Sequence, residues 1–386
     1  MPDHHRGYTG HHTVQLIHSG TEYFDTLLEL IEQAKHTLHL QVYILDPDET
    51  GLVILHALKE AAMRGVTVWL VTDGFGSMRL GKKFKEEMAR ADIRFRYFSA
   101  WPFPGIFQAG RRLHHKVAVA DGVTALVGGI NISDKYRGTE DEAPWLDYAL
   151  LANGPVVKQI EVICEKIYRK QYTGIQFRRD RKKSSDEPPL TPVMVRVSVN
   201  DWLRGRNEIS AAYKHMLNGA HKEILIMASY FTPTRRLLKI LLRAAKRGRS
   251  VHIVLGKNSD IPFMKPAMEY LYAKLLRAGI HIYEYKKAVL HAKVCVVDQR
   301  WVSIGSHNLN HLSELLSVEM NLEVTDTTFA KATVRELKSV MEEDCTPIRP
   351  EEHLLKVTLP GKILQWTSYK IISWSMRLLY VINKRR

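Results

Sequence analysis

The chain has 386 residues, 45% hydrophobic, 9% aromatic and 25% charged, a composition that excludes a disordered or low-complexity protein and suggests two folded domains. Lysine and arginine outnumber aspartate and glutamate by 56 to 41, a formal charge of +15, so the partners expected on charge are polyanions: nucleic acid or an anionic membrane face. Three widely spaced cysteines, Cys164, Cys295 and Cys345, argue against a disulfide framework and for a reducing compartment.

In chain order, the opening MPDHHRGYTGHH has no apolar core of a secretory signal. Its His4, His5, His11 and His12 read as a flexible, solvated end, with metal chelation as the alternative. The run LHLQVYIL (38–45) predicts a strand, LVILHALKEAAMRG (52–65) a helix ending at a glycine, and VTVWLVTDG (66–74) a second strand. Strand, helix and strand in that order imply a parallel pair with a crossover helix. The stretch from Tyr97 to Gly110 is uncharged but only fourteen residues long and broken by Pro102 and Pro104. It falls short of the roughly 20 apolar residues that span a bilayer, so no transmembrane helix is expected. Its Trp101, Phe103, Ile106 and Phe107, followed by Arg111 and Arg112, suit acyl chains at a site mouth and equally suit core packing.

Next comes LHHKVAVADGVTALVGG (113–129), which reads as two strands joined by a two-residue hairpin at Asp121 and Gly122. PWLDYAL (144–150) adds a strand carrying Asp147. RRDRKKSSDEPP (178–189) reads as an exposed linker, or alternatively as a basic docking segment. The strand–helix–strand order then returns as EILIMASYF, RRLLKILLRAAKRG and SVHIVLG, followed by a second hairpin and the strand-like LLSVEMNLEV with Glu319. The expected organisation is α/β: two similar domains, 1–177 and 193–350, each a mixed sheet flanked by helices and related by a pseudo-twofold axis. A linker over 178–192 joins them, and a basic aromatic tail follows over 351–386. From Gly361 on, that tail carries Lys362, Lys370, Arg377, Lys384, Arg385 and Arg386 among Trp366, Tyr369, Trp374 and Tyr380, with no acidic residue. That mixture suits a membrane interface, although as a helix its polar residues do not gather on one clean face. A helix docked on the second domain is the alternative.

The two hairpins share one pattern. His114-x-Lys116-x4-Asp121-x6-Gly128-Gly129-x-Asn131 matches His291-x-Lys293-x4-Asp298-x6-Gly305-Ser306-x-Asn308 in all five spacings, 177 residues apart. Alternation along a strand points each His and its Lys to one face, so an imidazole and an ammonium share a small site. With a two-residue loop, Gly129 lies opposite His114 and leaves room there, Ser306 takes the matching place opposite His291, and Asn131 and Asn308 donate from beyond. Two His, two Lys, two Asn and a Ser converging on one pocket fit a phosphate group. Asp121 stands seven residues from His114, on the opposite face and roughly 20 Å along the strand, so the residues themselves make Asp121 and Asp298 turn anchors. Asp147 and Glu319 are the candidates for orienting the imidazoles. One imidazole would attack phosphorus while the other protonates the leaving alcohol and deprotonates the incoming one, with no metal and no other cofactor called for.

With these residues the chain resembles the phospholipase D superfamily, whose duplicated signature is H-x-K-x4-D-x6-G-[GS]-x-N. Segments such as VYILDPDETGLVILHALKEAAMRGVTVWLVTDGFGS, LVGGINISD, PWLDYALLANGPVV, SYFTPTRRLLKILLRAAKRG and IGSHNLNHLSELLSVEMNLEV, covering most of residues 13–325, are similar to bacterial cardiolipin synthases of the short type. The resemblance implies metal-free transfer of a phosphatidyl group to the headgroup hydroxyl of phosphatidylglycerol, at the cytoplasmic side of the cell membrane by a peripheral protein. It implies an active-site set of His114, Lys116, Asp121, His291, Lys293 and Asp298, with the first histidine as nucleophile and the second as acid and base. It departs from the family's N-x-D-x-R-S-x-x-x-N-x-E, since Asn310, Leu312 and Ser317 replace the Asp, Arg and Asn while Ser313 and Glu319 remain. Loss of that Arg bears on which headgroup is accepted. Hydrolytic phospholipase D, a nuclease of the same superfamily and a catalytically dead binding protein are the other readings. Oligomeric state is not legible.

Overall fold

The computed structural model describes residues 7–81, 83–99, 111–171, 193–201, 204–310, 313–314, 317–351 and 358–384. The first half runs β1 (Thr13–His18), α1 (Thr21–Gln33), β2 (Thr37–Val42), α2 (Glu49–Met63), β3 (Thr67–Asp73), α3 (Phe84–Arg90), β4 (Arg94–Phe98), β5 (Arg112–Leu113), β6 (Lys116–Ala120), β7 (Thr124–Gly128), α4 (Asp134–Arg137), β8 (Tyr148–Asn153) and α5 (Pro155–Arg169). The second half runs β9 (Met194–Asp201), β10 (Arg206–Asn207), α6 (Glu208–Asn218), β11 (Glu223–Ala228), α7 (Arg235–Lys246), β12 (Ser250–Gly256), α8 (Met264–Leu276), β13 (His281–Tyr285), β14 (Lys293–Val297), β15 (Trp301–Gly305), β16 (Ser317–Thr325), α9 (Thr327–Asp344), β17 (Cys345–Pro347) and α10 (Leu359–Lys384).

The strand–helix–strand patterns form as expected. α2 starts where the Asp48 side chain accepts from the Gly51 N–H, and α7 where Thr234 accepts from Leu237. α7 turns Leu237, Leu238, Ile240, Leu241 and Ala244 inward at helical spacing. β2, β3 and β4 are mutually parallel, as are β11, β12 and β13. One sheet has the order β1-β8-β7-β6-β2-β3-β4, and the second repeats it as β9-β16-β15-β14-β11-β12-β13, with β10 and β17 added at its ends. The fold is therefore the mixed α/β duplication anticipated from the repeat.

Each half has its own outer core: Phe24, Leu27, Leu58 and Leu70 in the first, Tyr213, Leu241, Ile253 and Leu271 in the second. A third core is common to both, joining Val117, Val127, Leu150 and Ile160 of the first half to Val199, Met227, Ile304 and Met320 of the second. Burial of these apolar faces against each other stabilises the pairing of the halves.

Two expectations need correction. The hairpin loops have three residues, because β6–β7 pairing ends at Ala120↔Thr124 and β14–β15 pairing at Val297↔Trp301. Asp121 and Gly122 both take left-handed backbone, as do Asp298 and Gln299, so the register across each ladder moves by one. His12 is buried rather than solvated, its ring set between the Asn153 carbonyl at 3.2 Å and the Thr9 hydroxyl at 2.9 Å. His4, His5, the 178–192 linker and the loop bearing Trp101, Phe103, Ile106 and Phe107 lie outside the described residues, as does Leu312. All three cysteines are free and buried.

Candidate active site

The backbone just before each motif histidine is paired, in parallel, with the opposite half. β5 lies beside β16, Leu113 against Val318, and the His114 N–H donates to the Val318 carbonyl at 2.9 Å. In the second copy Leu290 bridges Leu146, and the His291 N–H donates to the Leu146 carbonyl at 2.8 Å. The residue after Val318 is Glu319 and the residue after Leu146 is Asp147, so each histidine meets a carboxylate carried by the other half. His114 Nδ1 lies 2.8 Å from Glu319 Oε2, and His291 Nδ1 lies 2.6 Å from Asp147 Oδ2. Both carboxylates are completely buried.

The lysines are buried in the same place. Lys116 Nζ donates to the His114 carbonyl at 2.9 Å and stands 5.2 Å from the centre of the Tyr43 ring, with no ion pair among the described residues. Lys293 donates to the His291 carbonyl and stands 3.4 Å from Asp147 Oδ2. Burial pulls both lysines below the ordinary value, Lys116 most strongly. Burial also lowers both imidazoles: His114 stays below its ordinary value despite Glu319, and His291, pressed further by the Lys293 charge, falls to about 4. Burial pushes Glu319 up, but His114, His307 and Lys116 outweigh it and bring the carboxyl down to about 2. At neutral pH the site thus holds two neutral imidazoles, and an ionised Glu319 accepts from the His114 Nδ1–H. The imidazole Nε2 atoms are left to face a ligand. His291 Nε2 has the Tyr136 hydroxyl at 3.4 Å, whereas His114 Nε2 has no hydrogen-bond partner among the described residues.

The remaining sequence-predicted residues divide into those near this centre and those away from it. A side chain at Gly129 would place its Cβ 2.4 Å from Asp147 Oδ2, so this glycine makes room for the carboxylate that holds His291. Ser306 Oγ donates to Glu319 Oε2 at 2.5 Å. Asn131 accepts from the Ile44 N–H and donates to the Tyr136 hydroxyl at 2.7 Å, while Asn308 Oδ1 accepts from Ser229 at 2.6 Å. Among the described residues one amide N–H of Asn131 and the amide N–H groups of Asn308 are left without a protein partner. Asp121 and Asp298 lie at the far ends of β6 and β14. Asp121 accepts from the Lys35, His36 and Thr37 N–H groups, and Asp298 from those of His221, Lys222 and Glu223. The turn-anchor reading describes that position; the membership of the catalytic pocket implied by the resemblance does not.

Sequence reasoning passed over the aromatic walls. Tyr43 and His114 rings meet edge-on at 5.1 Å, Tyr136 and His291 at 5.2 Å, and Tyr230, whose hydroxyl donates to Asp260, packs 6.0 Å from His291. The signal available was a tyrosine just beyond the first strand of each strand–helix–strand unit, in QVYIL and ASYF.

Three comparisons bear on this arrangement. The family described as "Cardiolipin synthase, PLD-like domain" matches residues 27–167 and 213–341. Cardiolipin synthase B of Salmonella typhi is 32% identical over 348 residues, covering 89% of this chain and 83% of its own length. Cardiolipin synthase B of Escherichia coli K12 is 30% identical over 340 residues, covering 87% and 82%. Among solved structures, the phosphatidylserine synthase of Haemophilus influenzae superposes with a TM-score of 0.72 at 17% identity over 97% of this chain and 96% of that one, a likeness of fold.

Proposed function

Because the chain belongs to the phospholipase D-like cardiolipin synthase family, we propose that it transfers a phosphatidyl group between two phosphatidylglycerol molecules, yielding cardiolipin and glycerol. The observation that carries the reading is the pair of imidazoles, each gripped at Nδ1 by a buried carboxylate from the opposite half, with a buried lysine beside each. His114 Nε2 attacks phosphorus and the bond to the glycerol headgroup breaks; the departing oxygen takes its proton from His291. The headgroup hydroxyl of a second lipid then gives its proton to His291 and attacks phosphorus, the phosphorus–nitrogen bond breaks, and His114 is restored. Lys116 and Lys293, with the remaining amide N–H groups of Asn131 and Asn308, stabilise the charge on the phosphoryl oxygens. An anionic phosphodiester between the ammonium groups offsets their charge and raises the proton affinity of His291, which equips it to act as an acid.

Supporting a lipid surface, α10 docks on α8 through one face, where Tyr369 stacks on Tyr270 at 4.7 Å and Gln365 donates to Glu269. Its opposite face leaves Leu359, Ile363, Trp366, Ile371 and Trp374 exposed, with Lys362 and Lys370 alongside. The tail is thus a docked helix with an apolar outer face, and we assign that face to peripheral contact with an anionic membrane. No helix among the described residues is long and apolar enough to cross one.

The test is to incubate the protein with phosphatidylglycerol vesicles, chelator present, alongside a His114→Ala control. Cardiolipin and glycerol from the wild type alone are expected. Phosphatidic acid instead of cardiolipin would mean hydrolysis, and cleavage of DNA or RNA without lipid turnover would replace the lipid reading with a nuclease.

A further inference from the structure

The two carboxylates that grip the motif histidines differ in the residue that stands beside them, His307 at Glu319 and Ile130 at Asp147. β15–β16 pairing ends at Gly305↔Asn321, and the Ser306 N–H continues it to the Met320 carbonyl at 3.0 Å. Continuing that direction leads to His307 and Glu319, which lie near enough to act on each other's charge. In the first half the same direction leads to Ile130 and Asp147. His307 is 4% exposed and Glu319 0%. His307 Nδ1 and Glu319 Oε1 are both buried, and neither has a hydrogen-bond partner among the described residues. Asp147 has no such unused oxygen, because its Oδ1 accepts from the Tyr148 N–H at 2.8 Å. Two orphaned buried polar atoms on neighbouring residues, one able to donate and one to accept, are costly apart and satisfied together.

We propose that His307 is a positioning residue, its Nδ1–H donating to Glu319 Oε1 directly or through one water and so fixing the carboxylate that grips His114. The inference rests on the catalytic reading of His114. His307 faces Glu319 and His114 on one side, and on the other a cleft that it lines with Lys214 and Glu314, themselves an ion pair at 2.8 Å. Burial keeps its ring neutral at pH 7, in the form that has one N–H to give. His114 in turn faces Glu319, Lys116 and Lys293. Without His307, Glu319 loses a donor and holds the shared proton on His114 more firmly, so His114 ionises over a higher pH range.

His307→Ile reproduces the residue found at the matching place in the first half, and His307→Asn keeps an N–H near the position of Nδ1. The measurement is the pH dependence of His114 carbethoxylation by diethyl pyrocarbonate, read by peptide mass spectrometry, with the pH profile of lipid transfer in parallel. His307→Ile is expected to move both acid limbs to higher pH, with weaker His114 labelling at about pH 6, and His307→Asn to restore the wild-type profile. An unmoved labelling profile in His307→Ile, or an equal displacement in both variants, overturns the proposal. Absence of lipid turnover by the wild type would defeat the functional reading alone, since the labelling profile still judges His307. The wild type supplies an independent arm: imidazole 15N spectra are expected to show His307 protonated at Nδ1, and a ring protonated only at Nε2 overturns the inference.

Discussion

His114, Lys116, His291 and Lys293 were legible because their chemistry and spacing recur; a repeated strand with His and Lys two residues apart fixes which face they share. Asp121 and Asp298 recur as strictly, but for a different reason. Each binds three consecutive N–H groups at the start of its half's first parallel strand, β2 or β11, and so ties the hairpin loop to it. Burial works against their ionisation, and the three N–H bonds prevail, holding both carboxyls below the ordinary value. A depressed folded value means stability that is present above the unfolded carboxyl value of about 4 and is lost as pH falls through the folded one. Asp121→Asn should therefore lower stability at pH 7 by about 1 kcal/mol, solvent screening taken into account, with the gap to wild type closing in acid. Thermal melts across pH check this, and phosphatidyl transfer by the folded variant should remain. Collapse of transfer at unchanged stability would return Asp121 to the pocket. Tyr136 escaped notice because its importance is a contact with His291, 155 residues on, and no local spacing encodes that contact.

Among elements, the parallel units were readable from hydrophobic runs and a glycine-closed helix, since local periodicity decides them. The hairpin register was not. Asp-Gly suggests a two-residue loop, and the loop gains a third residue because Asp121 reaches the β2 backbone, a contact that only the assembled sheet creates. α10 shows the same limit from the other direction: its mixed polar pattern is resolved only by knowing that Tyr369 and Ile372 face the second-half core, which leaves Trp366 and Trp374 outward. Replacing Ile363, Trp366 and Trp374 together by Ser should abolish co-sedimentation with anionic vesicles and leave the melting temperature within about 2 °C, because the docked face is untouched. A fall in melting temperature with vesicle binding intact would make the outer face part of the core instead.

At the scale of the molecule, the halves exchange carboxylates, and the core they share holds the exchange in place. An equimolar mixture of His114→Ala and His291→Ala chains should stay inactive in the vesicle assay, because each chain closes its own site. Recovered activity would show that halves trade between chains. The sequence by itself determined the duplication, the α/β order of each half and the residues able to handle phosphate, since these rest on local periodicity and on side-chain chemistry. Which acid serves which base was decided only by tertiary structure. Asp147 follows the first motif, yet it grips the second histidine 144 residues away, and Glu319 grips the first across 205. The physical reason is that β5 pairs with β16 and Leu290 bridges Leu146, each across to the opposite half, a hydrogen-bonding choice made when two apolar sheet faces close on each other.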